Sequence, residues 1–141
     1  MKRMLRLTLV AGSILLFRAA ALHAGDVQVI ASKDVAVSEV TGDDLKRIFL
    51  GTKTSLGDAK VHPVLQQGGP AHEAFVKGYV GKSDADLQAY YKALVFAGKG
   101  VAPKVLDSDA AVVSFVAMSK GTIAYVSGSA IVMGVNKLTV K

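Results

Sequence analysis

The stretch Gln66-Gln67-Gly68-Gly69-Pro70-Ala71-His72 holds the residue types best suited to chemistry in this chain. Two glycines let the backbone turn tightly, and proline in the first turn suits the start of a helix. A helix start leaves amide N–H groups without intrahelical acceptors at the positive end of the dipole, which favours an anion. Gly68, Gly69, Ala71 and His72 offer such amides, Gln66 and Gln67 add side-chain donors, and His72 adds charge when protonated. Pro70 has no N–H to give. The chemistry implied is recognition of a small oxyanion, although the same residues also serve an ordinary turn and helix start. A second candidate is Ser32-Lys33, a hydroxyl and an ammonium in the loop after an expected strand, because α/β folds place ligands beyond the C-terminal ends of strands. As polar loop residues they also need no function. Ser127 and Ser129, flanking Gly128 after a later strand, rank below both.

Other chemistries lack their residues. With no cysteine, disulfide scaffolds, zinc ribbons and iron–sulfur sites are excluded. His62 and His72 form no HExxH pattern, and there is no GxSxG elbow, so no metal, cofactor or catalytic constellation is expected. Asp43-Asp44 and Asp84/Asp86 fall in expected first turns of helices, where acids complement the dipole. Gly98-Lys99-Gly100 lacks phosphate-loop spacing and follows a helix, reading as its C-cap. Tyr90 and Tyr91, adjacent on a helix, face different sides, one toward the core and one toward the surface.

The elements that must position these residues follow from pattern. Val27 to Ala31 reads as a buried strand. Thr41 N-caps a helix carrying Leu45, Ile48 and Phe49 and stopped at Gly51, and Thr52 to Lys60 is a polar loop. Val61 to Leu65 is a strand whose Pro63 suggests an end or edge position. A helix follows from about Ala71 to Val80, then one capped by Ser83 that runs through Val95. Val101 to Leu106 is extended, Ser108 caps a helix from Asp109 to about Ser119, and Thr122 to Val126 and Val135 to Val140 are strands. The order β, α, β, α, α, α, β, β argues for one α/β domain.

The chain has 141 residues and a formal charge of +6, but Lys2, Arg3, Arg6 and Arg18 lie in the first 24 positions, which hold no acid. Residues 25–141 carry thirteen basic and eleven acidic side chains, only +2, with Arg47 the one arginine, so nucleic acid is not an expected partner. The basic start, the apolar run Leu7 to Phe17 and the small residues Ala19 to Ala24 read as a secretory signal cleaved after Ala24, too short to span a bilayer. This predicts a periplasmic domain over residues 25–141 with no stable membrane span.

Leu45-Lys-Arg-Ile-Phe-Leu-Gly-Thr-Lys-Thr54, the Gly-rich turn with Glu73-Ala-Phe75, Tyr90-Tyr-Lys-Ala-Leu-Val-Phe-Ala-Gly-Lys-Gly100 and Gly121-Thr-Ile-Ala-Tyr-Val126, in that order, resemble the phosphate-type substrate-binding proteins of ABC transporters. The resemblance implies a single lobe of the type II periplasmic binding protein fold, a mixed sheet flanked by helices. It also implies phosphate as ligand and an ABC permease as partner. The arginine and Ser-Gly-Thr turn of that family are replaced by Gln66 to Ala71. That departure, and the absence of room for a second lobe in residues 25–141, leave an alternative: a lobe without ligand, acting as an envelope interaction module whose partner is another protein or, in a homodimer, a second copy of itself.

Overall fold

β1 (Val27–Ala31) is buried at every residue, as expected of a strand inside a sheet covered on both faces. The computed structural model describes residues 27–141; the expected signal segment lies outside them. Two faces of alternating side chains divide the interior. Val27, Val29, Ala31, Ile123 and Tyr125 face the larger core beneath α1 (Gly42–Phe49), α2 (Pro70–Phe75) and α3 (Asp84–Phe96). Ile30, Val64, Ala124 and Val126 face a smaller core closed by Val112 and Val116 of α4 (Asp109–Met118).

The main sheet has six strands in the order β2 (Glu39–Val40), β8 (Asn136–Val140), β1, β7 (Thr122–Ser127), β5 (His62–Gln66), β6 (Lys104–Leu106). β5 runs parallel to both β6 and β7, whereas β1 runs antiparallel to β7 and to β8, so the sheet is mixed. Pro63 is near the start of a strand flanked on both sides, not on an edge. The β5–β6 ladder begins only at Val64 paired with Lys104, beyond the proline that lacks a donor. Within the stretch read as a polar loop, β3 (Ser55–Leu56) and β4 (Ala59–Lys60) form a hairpin whose buried Leu56 joins the larger core.

Local caps follow their residue types. Thr41, Ser83 and Ser108 each accept a bond from an amide three residues on, at 3.0 to 3.1 Å. Tyr91 and Tyr90 of α3 donate to the carbonyls of Phe49 (2.6 Å) and Leu50 (2.5 Å), satisfying acceptors left open at the end of α1. The helix expected from Ala71 to Val80 changes pitch after Phe75, and Val76–Val80 is a π-helical turn. It closes where the Gly81 amide donates to the Val76 carbonyl at 2.8 Å, with Gly81 left-handed at φ 72°.

Gly121 opens β7 with φ +65°, and an added Cβ would stand 2.6 Å from the Lys60 carbonyl oxygen. We therefore expect Gly121→Ala to lower unfolding free energy by about 2–4 kcal/mol in urea denaturation. An unchanged midpoint would show that β4 and β7 do not pack as described.

Candidate functional site

Because β5, β6 and β7 are parallel, Gln66, Leu106 and Ser127 finish at the same end of the sheet, where α2 and α4 begin. The turn between β5 and α2 is held by the Gln67 amide on the Leu106 carbonyl (2.8 Å) and the Gly68 amide on the Gln66 carbonyl (3.2 Å). Gly68 and Gly69 have φ +70° and +90°, conformations that call for glycine. No heavy atom lies within 4 Å of where a Cβ would stand on either, so the turn is open to solvent. The Glu73 backbone amide donates to the Gly69 carbonyl to begin α2, with Pro70 in its first turn. Ala71 and His72 follow in that turn, where amides have no intrahelical acceptor.

The side chains divide differently from the sequence expectation. Gln66 is buried, and its Nε2 donates to Asp109 Oδ1 (2.5 Å) and to the Tyr125 carbonyl (3.1 Å). His72 is only 1% exposed. Its Nδ1 lies 2.5 Å from the Tyr125 hydroxyl and its Nε2 2.7 Å from Asp84 Oδ1. Tyr125 in turn accepts from the Gln66 amide at 3.1 Å. The arrangement consistent with all three contacts has Tyr125 donating to Nδ1 and Nε2–H donating to Asp84. Both side chains thus serve the interior and not an anion in the open turn, because a buried polar group must find its partner there. The Gly68 amide, expected as a donor, is likewise taken up within the turn, which leaves the exposed Gln67 side chain and the Gly69 amide as what the turn presents.

Asp109 was legible only as the first residue of a helix. In the fold its carboxylate accepts from Gln66, from the Ser127 amide (3.1 Å) and from the Ser127 hydroxyl (2.5 Å), lacing the ends of β5 and β7 to α4. Burial pushes this carboxyl up, but the hydrogen bonds outweigh it and hold Asp109 below the usual carboxylate range. The His72 bond likewise holds Asp84 low against partial burial. Desolvation pushes the Tyr125 phenol well up, so it stays a neutral donor at any ordinary pH. Gln28, also unremarked in the sequence, orders the loop after β7 by donating to the carbonyls of Ser127, Gly128 and Ala130 at 3.0 to 3.1 Å.

Ser32 and Lys33 do not join this site. They follow the C-terminal end of β1, but β1 is antiparallel to β7: Ala31 pairs with Ile123 and Val27 with Ser127. The loop therefore lies at the opposite end of the sheet. Buried Ser32 accepts from the Thr122 amide (3.1 Å), and Asp34 accepts from the Gly121 amide (2.9 Å), so the Ser32 hydroxyl closes the strand end. Lys33 is exposed.

No family model matches the chain, and no curated protein matches it in sequence. Solved structures match it in fold. A Clostridium perfringens protein described as a phosphate ABC transporter substrate-binding protein, with bound phosphate, superposes with TM-score 0.63 at 22% identity. An ABC-type phosphate transport receptor from Vibrio cholerae gives 0.59 at 15%, and PstS from Borrelia burgdorferi 0.57 at 16%. Each match covers 82% of this chain but only 44, 46 and 47% of the respective neighbour, so the chain spans less than half their length. The fold is shared: an α/β architecture with a mixed sheet flanked by helices, as the sequence blocks implied. Among the described residues no helix is long and apolar enough to cross a membrane.

Two substitutions probe the network. Tyr125→Phe leaves the buried Gln66 amide and the His72 Nδ1 without partners, and should cost about 1–3 kcal/mol in chemical denaturation while far-ultraviolet circular dichroism is retained. For Asp109, a folded pKa below the unfolded value of about 3.9 contributes stability that is full above that value and fades as pH falls through the folded one. Asp109→Asn should therefore be less stable by about 1–3 kcal/mol at pH 7, with the two stability curves converging as pH falls through the folded-state value. A constant difference down to acid pH would mean that the charge is not what Ser127 and Gln66 hold.

Proposed function

We propose that this protein is a non-enzymatic solute-binding protein of the cell envelope that recognises a small oxyanion, phosphate foremost, at the turn Gln66 to His72. One observation carries the reading: an open, glycine-built turn leads into a helix at the C-terminal ends of parallel strands, in a fold shared with phosphate-transport receptors. With the Gln66 and His72 side chains and the Gln67 and Gly68 amides engaged internally, the donors are the backbone amides of Gly69, Ala71 and His72, joined by the Gln67 side chain. The basic and apolar residues that begin the sequence support export to the periplasm, and the fold neighbours support an ABC permease as partner.

A turn open to water competes with solvent for every hydrogen bond, so recognition is weak, with a Kd of order 1 mM, about −4 kcal/mol. The Asp109 carboxylate at the same end of the sheet favours a ligand that meets backbone donors at the turn over one reaching Ser127, whose hydroxyl is already given to Asp109.

Isothermal titration calorimetry with phosphate, with sulfate alongside, should show saturable millimolar binding. Gln67→Glu, an exposed change that sets a like charge beside the anion, should weaken it about 3- to 10-fold. Absence of heat at millimolar phosphate would overturn the receptor reading and leave a lobe that works without ligand.

A further inference from the structure

Among the described residues, the two most exposed large apolar side chains lie at the end of α3 and in the segment leading into β6. Phe96 is 96% exposed and Val101 88%, with Val95 and Val105 about half exposed. They are contiguous. Leu65, Tyr91, Val95, Phe96, Pro103 and Val105 line one groove of about 380 Å³ between α3 and the outermost strand. A second groove, about 360 Å³, lies around Pro103 and Phe115. Soluble domains rarely leave contiguous apolar surface of this kind uncovered unless it is used.

The charge around the patch is of one sign. Lys92 lines the first groove, Lys104 and Lys120 the second, and Lys99 a neighbouring cleft, and no aspartate or glutamate lines any of the three. Among the described residues, Lys92, Lys99 and Lys104 form no ion pair. Lys104 lies 5.1 Å above the Phe115 ring, which fixes a cation at the rim. The edge itself resists strand addition, since Pro103 offers no amide and Lys104 stands on a three-residue strand. A second copy is equally disfavoured, because a two-fold contact through this face sets lysines against lysines.

We propose that this face docks a protein partner whose contact surface sets apolar side chains among carboxylates. Phe96 on the first groove and Val101 on the second are almost wholly exposed and not enclosed in a chamber, so the occupant covers them as well as filling the grooves, which a macromolecular surface does and a small ligand does not. The lysines then meet the partner's carboxylates at the rim, where charge steers association and selects the partner.

Three fluorescein-labelled peptides test this against the full protein by anisotropy: a 16-residue amphipathic peptide of leucine, phenylalanine and glutamate, its lysine counterpart, and a scrambled glutamate control. The expected result is saturable binding of the first peptide, weakened at least 10-fold by Phe96→Ser and about 3- to 10-fold by Lys92→Glu, and declining with salt. Neither position is buried in the core, and matching thermal midpoints confirm that both variants fold. Equal binding of the acidic and basic peptides, or no saturable binding, overturns the proposal. So does a dimer in sedimentation velocity that Phe96→Ser dissolves, which would assign the face to self-association.

Discussion

A phenol hydroxyl at the centre of the larger core sets the constraint around which the domain is arranged. Tyr125 is fully buried on β7, and a buried hydroxyl without partners costs more than most single contacts supply. Its partners come from two directions, the Gln66 amide on β5 and His72 on α2, and His72 carries the chain of contacts on to Asp84 at the start of α3. Its ring stacks on Phe75 at 4.0 Å and meets Phe49 at 5.9 Å, so the same side chain also packs α2 and α1. Sheet, helices and the turn after β5 are thereby specified together, since moving any one leaves a polar atom unpaired in an apolar interior.

Much of the layout was legible in the residues. Caps at Thr41, Ser83 and Ser108 announce helices because a short hydroxyl side chain can bond a free amide, and the β-branched runs at Val27 and Thr122 announce strands covered on both faces. β2 and the β3–β4 hairpin, two residues per strand, are too short to carry a period. The pitch change after Phe75 was equally hidden, as Val76 to Val80 has the composition of any helical turn and only the Gly81 closure distinguishes it.

The two candidate loops lie at opposite ends of the sheet for a topological reason. Both Ser32-Lys33 and Gln66 to His72 follow strands, and sequence cannot say which strands run parallel. Since β1 alone among the three central strands is reversed, its following loop emerges on the far side. Side-chain roles failed for a different reason. Gln66 and His72 are donors by type, but whether a donor serves a ligand or the interior depends on what lies beneath it, here Asp109, Tyr125 and Asp84 from segments 12 to 59 positions away. Asp109 carried no signal beyond a helix start. The Ser127 amide and hydroxyl that hold it belong to a different element.

The placement of β1 bears on how the chain reaches this fold in time. It is flanked by β7 and β8, so its nearest neighbours in the sheet arrive only after roughly another ninety residues have been made, and Gln28 reaches a carbonyl 99 positions downstream. Contacts this remote slow the search for the native state, because a large loop must close before any of them is rewarded. The central strand therefore cannot take its place in the sheet until β7 and β8 have been made, close to the end of the described residues.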